Sequence, residues 1–187
     1  MMGQRRTTPT VGFPRMAKTY PKDEVGRFIS QLDKKAQQLL KLADVAEADA
    51  RQSSYQSYMT FRDKAGEFET FAIIIENRLK ALEGGPDGEL EDKFDRITVL
   101  ILTGLIRASI KFFLAMSEPA VLPLGTKEVF IGELRSLHNS REKLMGDKFQ
   151  SKLSPSDIDN LKRAEQILMM VIERAPSLLS LDEDEED

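Results

Sequence analysis

The chain contains no cysteine, no tryptophan and a single histidine among its 187 residues. Without cysteine it has no disulfide, no thiolate zinc site, no iron–sulfur cluster and no cysteine nucleophile. One histidine excludes a multi-histidine metal site and the paired histidines of a di-iron bundle. Long apolar runs are also missing. A membrane span needs about 18 or more unbroken apolar residues, and the most apolar stretch, Ile97 to Ile106, is followed at once by Arg107 and then Lys111. The N-terminus lacks the apolar core of a secretory signal. These absences point to a soluble, cytoplasmic protein with no transmembrane segment, no metal and no cofactor.

The short chemical motifs are missing too. Gly84-Gly85-Pro86 carries no Gly-Lys-Ser/Thr and sits between helical patterns, so it is no phosphate loop. There is no Gly-x-Ser-x-Gly elbow, no repeat of 20–50 residues and no alternating pattern of a strand.

What is present begins with charge. The formal net charge is -4, which makes a generally basic nucleic-acid binder an unlikely reading. The first 22 residues hold Arg5, Arg6, Arg15, Lys18 and Lys22 and no acid, whereas Asp182 to Asp187 are all acidic. Pro9, Pro14 and Pro21 oppose a helix in the basic arm. Met16 opens Met-Ala-Lys and is a second candidate translation start. The expected organisation is a flexible basic arm over 1–22, a helical bundle over 23–176 and an acidic tail over 177–187.

The apolar spacing is helical throughout the middle. Val25, Ile29, Leu32, Ala36, Leu39, Ala43, Ala46 and Ala50 step alternately by four and three. Tyr58, Phe61, Ala65, Phe68, Ala72, Ile75, Leu79 and Leu82 repeat the pattern, so both halves form a heptad seam of the coiled-coil kind. The phase slips by one residue between Ala50 and Tyr58. From Asp23 to Gly84 there is no proline, and Gly26 and Gly66 are the glycines before the terminal break. This favours one very long, kinked helix of about 60 residues over a hairpin turning near Ser53-Ser54, because most helix ends carry a stop signal.

Gly84-Gly85-Pro86-Asp87-Gly88 is an unambiguous break. The following helix, about Glu89 to Ser117, opens with Glu89, Glu91 and Asp92 at its positive dipole end. It is apolar on nearly all sides beyond Ile97, the signature of a central, buried helix. Gly104 in its middle marks a close approach by a neighbour. After the Pro-containing connector 118–125, Thr126 caps a helix to about Leu144. Ser154, Pro155 and Asp157 form the start of the last helix, which Pro176 ends. The fold class is therefore all-α, an antiparallel bundle of four or five helices.

Three sets of side chains are candidates for function. His138 lies one turn from Leu134 and Arg141, beside the apolar stripe. His138-x-x-Arg141 is similar to the His-x-x-Lys-Gly pattern of histidine phosphotransfer domains, with Glu142 in the place of glycine. That resemblance implies an exposed imidazole nucleophile with Arg141 as the cation holding the phosphoryl group. Carboxylate pairs such as Glu67 and Glu69 diverge on a helix and read as a solvated face. Tyr55 and Tyr58 flank the polar slip and are the first candidates for a partner-facing patch, since aromatics are enriched at interfaces.

The leading functional expectation is a non-enzymatic helical protein-interaction module: an adaptor, assembly factor or chaperone-like subunit. Its partner would be another protein or a second copy, a homodimer formed through the heptad seams. The alternative is a phosphorelay domain using His138. The third is contact of the basic arm with nucleic acid or a membrane surface.

Overall fold

A computed structural model describes residues 19–50, 56–116 and 126–179. All regular structure among them is helical: α1 (Lys22–Ala50), α2 (Gln56–Lys80), α3 (Gly88–Met116), α4 (Thr126–Met145), α5 (Asp147–Gln150) and α6 (Pro155–Leu179). The protein is an all-α bundle.

The stretch 23–84 is a hairpin, not the long rod that its shortage of stop signals favours. Arg78 at the end of α2 donates from Nη1 to Glu24 Oε1 at the start of α1, 2.7 Å away. At the other end, the Ser57 hydroxyl bonds to the Asp49 carboxylate. The two helices are thus antiparallel, and the eight-residue phase slip is the turn itself. The seams face each other and α3. Val25, Ile29, Leu32, Ala36 and Ala43 are fully buried, as are Ala65 and Ile75. This burial inside the chain leaves the seams no surface to offer a second copy.

The basic arm ends earlier than its charge suggests. Tyr20 N donates to Ala81 O and Glu83 N donates to Tyr20 O, each at 2.9 Å, a single parallel bridge beyond the end of α2. Arg78 stands over both the Tyr20 ring (4.9 Å) and the Phe28 ring (4.3 Å). Gly84 and Gly85 then take positive φ values of 86° and 94°, the left-handed backbone that reverses the chain at low cost only for glycine.

α3 starts where Asp87 Oδ1 accepts from the backbone N–H groups of Glu89 (3.1 Å) and Leu90 (3.0 Å). This is an N-cap, and Lys22 pairs with the same carboxyl. The Lys22 hydrogen bond and the backbone donors hold Asp87 below the usual carboxylate range. α3 is the central helix, contacting α1 and α2 as well as α4 and α6. Gly88–Ala115 is long and apolar enough to cross a membrane, yet 78% of its apolar window is buried inside the bundle. Its Gly104 does admit a neighbour: a Cβ there would lie 2.9 Å from Leu40 Cδ2 of α1.

On the far side, α4 and α6 pack on α3 and on each other. α6 opens with a reciprocal capping box. Ser154 Oγ accepts from Asp157 N (3.2 Å), and Asp157 Oδ2 accepts from Ser154 N (2.9 Å). The helix continues to Leu179 rather than stopping at Pro176. A proline in the last turn forgoes one helical N–H bond there, not a whole ladder. The one-turn α5 has no periodic signature. It is held by Phe149, which is 6% exposed.

Candidate functional site

Six polar or charged residues are buried among the described residues: Asp95, Thr98, Thr103, Ser109, Glu133 and Ser140. Burial of such groups is costly unless they are paired, and two of them anchor clusters.

The first cluster joins three helices. Tyr58 and Arg62 lie one turn apart on α2, Ser109 is on α3, and Glu133 and Ser136 lie one turn apart on α4. The Tyr58 ring stacks on Phe112, with centroids 4.4 Å apart and planes at 12°. Its hydroxyl donates to Glu133 Oε2 at 2.5 Å and lies 3.2 Å from Ser109 Oγ. Arg62 Nε donates to Glu133 Oε1 at 2.8 Å, and its Nη2 reaches Ser136 Oγ at 2.8 Å. Both carboxylate oxygens are therefore occupied. The arrangement ties α4 to α2 across α3, and its own partners leave Glu133 no open position for a substrate.

Tyr58 is 2% exposed. It therefore presents no patch to a partner, contrary to the reading of it beside a polar turn; its hydroxyl points inward because Glu133 and Ser109 receive it. Tyr55 lies outside the described residues. Burial, then the charge and hydrogen bond of Glu133, push the Tyr58 phenol far above its ordinary value of 10.0. An unfolded tyrosine ionises near pH 10. The advantage of the neutral, buried phenol is present below that pH and is lost as pH rises beyond it. In the folded protein Tyr58→Phe is expected to leave the tyrosinate absorbance change between about pH 9 and 11 unaltered. Loss of about a third of that change, one of three tyrosines, would show that Tyr58 titrates freely.

The second cluster centres on Asp95 of α3. Lys148 Nζ lies 2.7 Å from Oδ1, and Lys152 Nζ lies 3.5 Å from Oδ2 and 3.2 Å from Asp92 Oδ1. It clamps the α5 turn to α3. An acid in the middle of Phe94-Asp95-Arg96-Ile97, on the most apolar helix of the chain, was the available sequence signal for it.

His138 is exposed on α4, as its spacing suggests. Arg141 does not stand free beside it. Its Nη1 is 2.7 Å from Glu142 Oε1 and its Nη2 is 3.0 Å from Glu165 Oε1 on α6. A phosphoryl group on His138 would have to compete with two carboxylates for that cation. Glu67 pairs with Lys64 at 2.6 Å and Asp92 with Arg96 at 2.8 Å, while Glu89 and Glu91 occupy the first turn of α3. Among the described residues no group of three His, Cys, Asp or Glu is arranged to hold a metal ion.

Beyond Glu133, α2 and α4 leave a groove of about 220 Å³ over α3. Phe68, Ala72, Ile101 and Leu102 line it, and Ile73 stands at its edge, 57% exposed. Glu69 and Glu76 stand on the α2 side and Lys143 on the α4 side. A hydrogen bond from Lys80, and further off the charge of Lys143, hold Glu76 below its usual range. The heptad pattern of α2 could not reveal this groove, because it forms where two helices far apart in sequence diverge. No protein-family model, no curated protein and no solved structure matches the chain, so its function has to be read from its own residues.

Proposed function

We propose that the chain is a non-enzymatic helical protein-interaction module, an adaptor, assembly factor or chaperone-like subunit of the cytoplasm. The observation that carries this reading is the open groove between α2 and α4. Its floor is apolar, Ile73 projects from its edge, and acids and a lysine face each other across it. Such a groove suits one turn or two of an apolar helix face from another protein, the helix-in-groove mode of recognition. The pairing of both Glu133 oxygens and of Arg141 supports the non-enzymatic side of the reading, since each residue best suited to chemistry is already engaged by its neighbours.

The test is capture of partners on immobilised full chain, with wild type compared to Ile73→Glu. Ile73 is a surface residue, so the substitution should change stability by no more than about 0.5 kcal/mol. A partner held by the groove should be recovered at least about tenfold less, as expected when a charge is placed in a desolvated apolar contact. Equal recovery by wild type and variant would remove the groove as the contact surface.

A further inference from the structure

The side of α2 that faces away from the bundle carries a second feature. Met59, Ile73 and Ile74 are 39%, 57% and 45% exposed. Between them is Gly66, at the centre of a helix, where glycine costs about 1 kcal/mol relative to alanine. A Cβ on Gly104 would meet Leu40 and one on Gly26 would meet Leu90 at 3.7 Å, but nothing lies within 4 Å of the corresponding position on Gly66. Asp63 and Glu69 flank this face, both exposed, and neither is in an ion pair among the described residues.

The chain before Thr19 is suited to cover it. Residues 1–18 contain Arg5, Arg6, Arg15 and Lys18 with no acid, and also Val11 and Phe13. Their point of departure is fixed. The Tyr20–Leu82 bridge is parallel, so the chain preceding Tyr20 heads back alongside α2 instead of past its end. The reach is ample. Leu82 to Gly66 is 16 residues, about 24 Å at helical rise, whereas 18 extended residues span about 59 Å. Pro9 and Pro14 favour an extended path, and at about 3.3 Å per residue Phe13 arrives close to Gly66.

We infer that residues 1–18 dock along the outer face of α2, with Phe13 over Gly66 and the basic side chains against Asp63 and Glu69. The docked segment covers Ile73 and Ile74 and so stands between the bundle and any partner at the neighbouring groove. The inference does not depend on what that partner is.

Because the chain has no cysteine, two introduced thiols are the only ones present. Phe13→Cys is combined with Thr70→Cys on the outer face of α2, or with Lys34→Cys on α1 as a control. Both second sites are exposed and lie 12 residues, about 18 Å of helix, from the ends that hold Tyr20. Circular dichroism checks that each variant is folded. Docking predicts intramolecular disulfide formation at least about tenfold faster for the Thr70 pair than for the Lys34 pair, a difference in effective concentration. Adding Asp63→Lys and Glu69→Lys should reduce that excess at least about threefold, as should high salt. Equal rates for the two pairs would overturn the proposal. So would disulfides that form only between chains, at a rate that depends on concentration, since the face would then receive the segment of a second copy.

Discussion

Glu133→Ala is expected to destabilise the protein by about 3 kcal/mol, the lower part of the range for breaking a buried ion pair. The substitution removes one acceptor and strands three groups. The Tyr58 hydroxyl loses its 2.5 Å bond and keeps only Ser109. Arg62 loses its carboxylate while its side chain is only 18% exposed. That remaining exposure lets water reach the guanidinium and moderates the cost. Tyr58→Phe makes the contrast: it leaves the Arg62–Glu133 pair intact and should cost about 1–3 kcal/mol, the range for one buried acceptor left unsatisfied. The triple change Tyr58→Phe, Arg62→Met, Glu133→Leu should recover most of the loss, because an apolar cluster of similar size replaces the polar one. Urea unfolding with an unchanged slope is the measurement. If Glu133→Ala were as mild as an ordinary surface substitution, the cluster would not be what ties α4 to α2.

The same cluster shows where sequence stops being informative. Each of its members looks ordinary by itself. Tyr58 reads as a tyrosine beside a polar turn, Arg62 and Glu133 as parts of solvated helix faces. Their meeting depends on how α4 lies against α2, a relation of 74 or so positions in sequence that no local pattern encodes. What local pattern does encode came through well. The seam positions of α1 and α2 are the buried ones, the helix that is apolar all round is the central one, and Ser154 with Asp157 forms the cap its spacing implies. The hairpin was misread for a physical reason. A turn between helices is usually marked by glycine or proline, and here polar residues alone occupy the slip. Compactness decided the matter instead, by letting α1 and α2 bury one another's seam. Asp87 was similarly hidden: it reads as one residue of a glycine-proline break, and only the chain reversal through Gly84 and Gly85 brings its carboxyl both to the start of α3 and to Lys22.

Phe61→Ala is expected to cost about 3–5 kcal/mol, the usual range for deleting a buried aromatic ring. Phe61 is 1% exposed, and its ring lies against Tyr58, with centroids 6.2 Å apart. Tyr58 is in turn held by the stack on Phe112 and the bond to Glu133, so the surroundings cannot close into the space left behind. Poor closure is what makes the cavity term large. Phe71 on the same helix provides the comparison. It is only half-buried and meets Phe28 edge-on at 6.2 Å, with solvent able to fill part of its volume, and Phe71→Ala should cost clearly less. At about 2–4 °C per kcal/mol for a chain of this size, Phe61→Ala should lower Tm by roughly 10 °C or more. That shift should also be independent of protein concentration, because the seam on which Phe61 lies is buried within one chain. A Tm that rises with concentration in wild type, and a Phe61→Ala effect that grows on dilution, would instead place the α2 seam between two chains and would return the stretch 23–84 to the long, dimerising rod.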